Sequence, residues 1–342
     1  MMLARDPREL PALLLHNLDP QWSADDLLVA QRDVELLANG LRCCGHEVET
    51  VAVTTADLAA VLAPYHPQQW VVLNWCEDLP GQRCGDVATA AFLESAGFTF
   101  TGASSRALAL AWNKPRVKRR LERAGVATPA WRLMDGETTW WRKFPAIVKP
   151  ANEHCSVGLT RDSVVLNSQE LRQRVAWVVE TFHQCALVED FIDGPEYHVS
   201  LWGNGHIAPL PPAEMDFSGC HHVRERLCTW DAKFSPGSAD FEQIQVRLPA
   251  PLSAGAAAQL VATAKAAYAC LPCRDIARID IRERDGVFYV LDVNPNPDLS
   301  PDTSTVLAAE LEGLSYGALG SRLLALAADR RPLPATPVRP RT

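Results

Sequence analysis

The chain has 342 residues, 47% hydrophobic and 22% charged, which excludes a disordered chain and predicts two or three compact units. Its 33 Lys and Arg against 41 Asp and Glu give a net charge of −8; this excludes a broad nucleic-acid surface but leaves room for a local basic site for a small phosphate ligand. No apolar run approaches the roughly 18–20 residues of a membrane helix, the start meets Asp6 and Pro7 before any apolar signal core, and ten cysteines in a chain of this size make no disulfide scaffold, so a cytoplasmic protein with no nucleic-acid or membrane partner is expected.

Residues 12–16 form a short continuous apolar run, as in a buried strand. Ser23 or Asp25 is suited to cap a helix that runs to about Cys44 and stops at Gly45, with Leu28, Val29, Leu36, Leu37 and Leu41 on its apolar face. Strands are predicted at 48–53, 70–74 and 98–100, with helices at 56–62 and 86–95 between them. This alternation predicts a parallel sheet with helices on both faces. A basic helix over 114–123 follows, stopped by Gly125, and Thr128-Pro129 opens a new segment. Strands follow at 144–150 and 163–166 around a polar loop with Gly158, then a helix at 169–182 and a strand at 186–192. Residues 198–202 alternate, and Gly203-Asn204-Gly205 signals a hairpin. The stretch 214–237, rich in His, Cys, Asp and Pro, has no clear period and reads as a long functional loop. A helix at 254–270, a strand pair at 277–281 and 287–293, and helices at 304–311 and 316–328 complete the pattern, with a mobile tail from Arg330.

Three clusters carry chemistry. Period two puts Arg278 and Asp280 on one face of their strand, and Asp292 and Asn294 on one face of the next. Two carboxylates and an amide oxygen on adjacent strands suit a hard cation such as Mg²⁺, and Arg278 suits an anionic oxygen; the alternative is a solvated sheet face. Lys114 and Lys149 can reach phosphate oxygens, Lys149 because it leaves an apolar strand for a loop of small residues, 151–158, with the make-up of a phosphate-covering flap. Glu189, Asp190, Phe191 and Ile192 end a strand before the turn Gly194-Pro195-Glu196, where backbone groups can meet a purine and a carboxylate a ribose. Taken singly, the lysines also read as surface charges and the third cluster as an acidic turn.

In this order the clusters resemble the ATP-grasp superfamily, and more closely its D-alanine–D-alanine ligase branch, over about 98–319. The resemblance implies an α/β (α+β) protein: a Rossmann-like N-terminal domain over 1–108, a central lid over 109–190, a C-terminal catalytic part over 191–329 and a flexible tail over 330–342. It implies ATP and two Mg²⁺, with Mn²⁺ as a substitute, and homodimers as a common assembly. Lys114 and Lys149 would contact the phosphates, Glu189 with the backbone through Ile192 the adenine, Glu196 the ribose, and Lys233 the terminal phosphate. Asp280, Asp292 and Asn294 would hold the metal, Arg278 would stabilise the tetrahedral intermediate, and Ser156 sits in the closing loop. The activity implied is ATP-dependent joining of a carboxylate to an amine through an acyl phosphate.

The substrate-reading parts depart from the family. Asn74 to Gly81 replaces a His-Gly-x-x-Gly-Glu-Asp-Gly loop, Phe234 replaces a tyrosine, and Asp298 replaces a glycine after Pro297. Glu77, Phe234, Asp298 and Thr303 are the candidate substrate contacts. An amino acid or small peptide-like acid other than the cell-wall substrate is therefore expected; a tailoring ligase for a larger acid and a non-catalytic ATP-binding module are the rivals. Cys220, His221, His222 and Cys228 fit no zinc spacing well, Cys270-x-x-Cys273 reads as structural thiols, and Cys155 has no identifiable base.

Overall fold

The structure is a computed structural model and describes residues 6–136, 140–154, 156–228 and 244–331. Three sheets organise it. The first takes β1 (Ala12–Asn17), β2 (Val48–Val53), β3 (Val71–Trp75) and β4 (Thr99–Phe100) in the order β2-β1-β3-β4, all neighbours parallel. Helices α1 (Ala24–Cys43), α2 (Leu58–Leu62) and α3 (Gly85–Ala96) form the crossovers. The sheet is apolar on both faces: Leu13, Leu15 and Val72 join one core, Leu14, Val71 and Leu73 the other. That is why β1 and β3 read as mainly apolar runs rather than alternating ones.

Helix α1 starts where Ser23 accepts a hydrogen bond from the backbone N–H of Asp26 at 3.1 Å. Its buried face is Asp33, Val34, Leu37, Ala38 and Leu41, the i, i+3/i+4 spacing of a single stripe. Leu28, Val29 and Leu36, expected on that face, are exposed; only Leu37 and Leu41 of the expected set belong to the stripe.

Helices α4 (Ser105–Ala111) and α5 (Lys114–Arg123) lead to the second sheet. It takes β5 (Trp131–Met134), β6 (Ala146–Pro150), β7 (Val164–Val165) and β8 (Ala186–Asp190) in the order β5-β8-β6-β7, antiparallel throughout. Helix α6 (Ser168–Phe182) covers one face with Leu171, Val175 and Val178. The third sheet contains β9 (Glu196–Trp202), β10 (Ala208–Pro209), β11 (Ala213–Asp216), β12 (Gln245–Arg247), β13 (Ile276–Arg284) and β14 (Val287–Asn294). Its order is β12-β11-β9-β13-β14, with β10 beside β9. Helix α7 (Ala254–Cys270) and α5 pack on its apolar back. The start of the supposed long loop is thus strand β11; residues 229–243, including Lys233 and Phe234, lie outside the described residues, as does Cys155.

Two further helices, α8 (Ser304–Leu311) and α9 (Tyr316–Arg330), close the chain. Helix α9 returns to the first sheet, where Leu323, Leu324 and Ala327 share a core with Leu14, Val34 and Leu73. Arg330, expected in the tail, donates to both carboxylate oxygens of buried Asp275 at 2.6 and 2.8 Å and to the Phe100 carbonyl at 2.7 Å; residues 332–342 lie outside the described ones. No helix among the described residues is long and apolar enough to cross a membrane.

α1 and α9 cross at Gly40 and Gly317. A Cβ on Gly40 would lie 2.8 Å from the Gly317 nitrogen, while one on Gly255 would meet nothing within 4 Å. Gly40→Ala and Gly317→Ala should each lower stability by about 1–3 kcal/mol through forced helix separation. Gly255→Ala should not, and urea unfolding of the three variants checks this.

Candidate active site

The β13–β14 ladder sets the site. Its register pairs Arg278 with Asn294 and Asp280 with Asp292, and shifts just after Asp280. On the other side β9 places Ser200 opposite Arg278, His198 opposite Asp280 and Glu196 opposite Arg282. Period two therefore turns these side chains from three strands to one face, while Ile279, Ile281 and Val293 go to the core behind.

The polar groups on this face are tightly paired. Arg278 Nε and Nη2 donate to the two Asp280 carboxylate oxygens at 2.7 and 3.1 Å. Asn294 Nδ2 donates to Asp280 at 3.0 Å, and Lys114 Nζ, from the first turn of α5, to Asp292 at 3.2 Å. Burial pushes the Asp292 pKa up, but Lys114, His154 and Lys149 outweigh it and hold the carboxyl well below its usual range. Burial likewise disfavours the Arg278 cation, and Asp280 more than compensates. The Asp280 and Asp292 carboxylates and the Asn294 amide thus share one face of two adjacent strands, with Asp292 held in its charged form. That hard-oxygen set fits a divalent cation such as Mg²⁺.

Facing it is a buried ion triad. Glu189 on β8 lies 2.5 Å from Lys118 Nζ of α5 and 2.8 Å from Lys149 Nζ of β6. Lys118 also donates to Thr128 Oγ1, whose hydroxyl donates to the Val290 carbonyl of β14. Burial raises the Glu189 pKa, yet the two ammonium groups carry it down to about 2. Glu189, expected at adenine, has each of its oxygens ion-paired to one of the two lysines.

Beyond it, Asp190 pairs with Lys143 at 2.6 Å and Arg284 at 2.5 Å. Phe191 is buried, and the Ile192 carbonyl accepts from Arg282 Nη1 at 3.0 Å. Arg282 is fully buried between the rings of Phe191 and Phe217, 4.8 and 4.9 Å from their centroids, and its Nε donates to Glu196 at 2.7 Å. Glu196, His198 and Cys228 bring ligand atoms within 4.8 Å of one another. His198 Nδ1 lies 3.1 Å from the Ser304 hydroxyl, and its Nε2 is buried without a hydrogen bond.

The remaining expected residues line the approach. Ser156 has φ +59° and donates to the Cys228 carbonyl at 3.2 Å. Its loop is pinned by Arg83, which donates to the Asn152 carbonyl and to Glu153, both at 2.7 Å. Glu77 is half-buried, its Oε1 has no hydrogen bond, and burial, then Asp298, raise its pKa well above the usual range against the pull of Arg278. Asp298 Oδ1 accepts from Trp75 Nε1 at 3.2 Å and from Ser300 N and Oγ at 2.9 and 2.8 Å. Thr303 caps α8, its hydroxyl donating to the Ser300 carbonyl. The Cys and His run does not gather: Cys220 and Cys228 are buried in an apolar cluster, while His221 and His222 are exposed and bond Glu225 through their N–H groups.

Sequence reasoning missed Lys118, His198 and Arg282. Each carried a periodicity signal: Lys118 lies one turn beyond Lys114 on α5, Arg282 two residues beyond Asp280, and His198 two beyond Glu196.

The family model described as "D-ala D-ala ligase C-terminus" matches residues 124–325. A protein of Sinorhizobium fredii (strain NBRC 101917 / NGR234), "Uncharacterized protein y4sG", is 33% identical over 308 residues, 87% of this chain and 88% of that protein. A D-alanine–D-alanine ligase of Marinomonas sp. (strain MWYL1) is 28% identical, covering 88% of this chain and 93% of its own. The crystal structure of D-alanine–D-alanine ligase from Bacillus anthracis complexed with ATP superposes with a TM-score of 0.71 at 19% identity, covering 94% of this chain and 98% of that one. The shared fold is the ATP-grasp fold.

The triad makes a stability prediction. Glu189→Gln leaves two buried ammonium groups without a carboxylate and should cost about 3–5 kcal/mol. The folded pKa is depressed, so the wild-type advantage is present above the unfolded carboxylate range and is lost as pH falls toward about 2. Urea midpoints of both proteins between pH 7 and pH 2 should converge at the acid end.

Proposed function

The chain belongs to the D-alanine–D-alanine ligase C-terminal family, and on that premise we propose that it joins an amino acid or small peptide-like acid, other than D-alanine to D-alanine, to an amine. It is an ATP-grasp ligase that forms a peptide bond. The observation that carries the reading is the facing of Asp280 by Asp292 and Arg278 by Asn294, with Lys114 on Asp292.

A carboxylate resists attack by an amine, so it must first receive the γ-phosphoryl group; the amine then attacks the acyl phosphate carbon, and phosphate leaves with the C–O bond electrons. Lys114 and Lys149 bind phosphate oxygens as point charges. Glu196, held by Arg282, accepts from ribose hydroxyls, and the 190–192 edge meets the base. Asp280, Asp292 and Asn294 would hold Mg²⁺, which neutralises phosphate charge when bound. Arg278 lies on that same face and holds the oxyanion of the tetrahedral intermediate. The 151–158 loop with Ser156 excludes water, which would hydrolyse the acyl phosphate. Lys233 carries its expected role at the terminal phosphate from the resemblance alone.

The substrate side supports an acid other than D-alanine. Asp298 adds a carboxylate where the family has glycine, and it is fixed beside Glu77, near Arg278. Glu77 and Asp298 would take the ammonium of the donor, with Thr303 near the acceptor.

A phosphate-release screen with Mg·ATP over pairs of D- and L-amino acids, read by product mass, tests this. Release that requires two amino acids, with a product equal to their sum less water, is the expected result; vigorous D-alanyl-D-alanine synthesis would refute the substrate assignment, and ATP binding without turnover on any acid would refute the ligase. Arg278→Gln should lower kcat by about 10²–10³-fold while the KM for ATP stays within a few-fold.

A further inference from the structure

We propose a second anion site, outside the cleft, that binds a small molecule carrying two or more phosphate groups. The sequence stripe Arg116, Arg119, Arg120 and Arg123 follows the i, i+3, i+4, i+7 spacing of one helix face. On α5 these four are exposed, while Val117, Lys118 and Leu121 face inward. Arg106 of α4 joins them, and with Pro272 beyond the end of α7 they line a pocket of about 720 Å³ that contains no acidic side chain. That volume suits a small ligand.

The guanidinium groups are largely unspent. Arg120 donates to the Cys270 carbonyl at 3.0 Å, and Arg119 lies 5.5 Å from the centre of the Trp131 ring. Arg106, Arg116 and Arg123 make no side-chain hydrogen bond or ion pair among the described residues. Glu122, the acid within the stripe, accepts from Trp131 Nε1 at 2.8 Å and does not line the pocket. Arg120 and Arg123 also complement the C-terminal end of the helix dipole, but Arg106, Arg116 and Arg119 have no such role. Like charges at these spacings destabilise a helix, so the stripe opposes folding until an anion neutralises it.

The ligand class follows from geometry. Guanidinium forks bind phosphate oxygens in pairs, and five of them exceed what one phosphate can use. A net charge of −8 repels a nucleic-acid backbone at long range, whereas a compact polyphosphate meets only the local field. The site is separate from the cleft: α5 turns Lys114 and Lys118 toward Asp292 and Glu189, Val117 and Leu121 into the core behind the third sheet, and the arginines to solvent.

The test uses the full chain in metal-free buffer. Isothermal titration with tripolyphosphate should show one saturable site whose affinity falls with added salt. Arg116→Gln/Arg123→Gln should weaken it at least about tenfold, and Arg172→Gln on α6 should leave it unchanged. Hydrogen exchange should slow over 104–123 and not over 146–158. Pyrophosphate and uridine diphosphate, run alongside, separate two sources: equal affinity means that phosphates alone are read, and tighter uridine diphosphate means that a nucleoside is read too. Absent or non-saturable binding, equal loss in both variants, or protection confined to the flap would overturn the proposal.

Discussion

Lys118, Glu189 and Lys149 come from three elements; Lys118 and Glu189 are fully buried, and Lys149 keeps only 13% of its side chain exposed. Lys118 rides on α5, whose Val117 and Leu121 lie in the core behind the third sheet; Lys149 and Glu189 belong to the second. Desolvated charge tolerates little slack, so the triad fixes the distance between two otherwise separately cored sheets. Two cations and one anion leave a positive excess, and Asp292 answers it from the third sheet, its carboxylate held down by Lys114, His154 and Lys149 together. The cleft is thus defined by charge balance across a seam, while the apolar packing lies behind each sheet.

On the Asp292 side, precision comes from backbone pairing. Register alone decides that Asp280 meets Asp292 and not a core residue, because a slip of one position would turn Ile279 and Ile281 into the cleft. The register shift just after Asp280 lies beside the candidate active site, a common place for such irregularities. Arg282 and Arg278 then hold Glu196 and Asp280 from the same strand, so that the acids are oriented before any ligand arrives.

Much of this was legible in the sequence where a period or an unbroken apolar run survives. Strands β1 and β3 announced themselves because both faces are buried, and the β13–β14 residues because alternation is clean there. Strands β5 and β12 were not legible, since each is short and lies at a sheet edge with its side chains mostly exposed. Leu28, Val29 and Leu36 misled because apolar residues on a helix need not face a core. Glu189 shows a different limit: its position on a strand was readable, but its partner Lys118 lies 71 residues away in sequence, and no local pattern names a partner brought in by tertiary packing.

The return of α9 to the first sheet has a consequence for how the protein is made. Leu323, Leu324 and Ala327 fill the core beside Leu14 and Leu73, His46 joins the Leu10 carbonyl to the Ser321 hydroxyl, and the Gly40–Gly317 crossing seats the helix against α1. Synthesis runs from the other end. The opening hundred residues leave the ribosome with half their core uncovered and stay so until the final helix is translated. The N-terminal sheet therefore waits for α9, the latch that closes its second core.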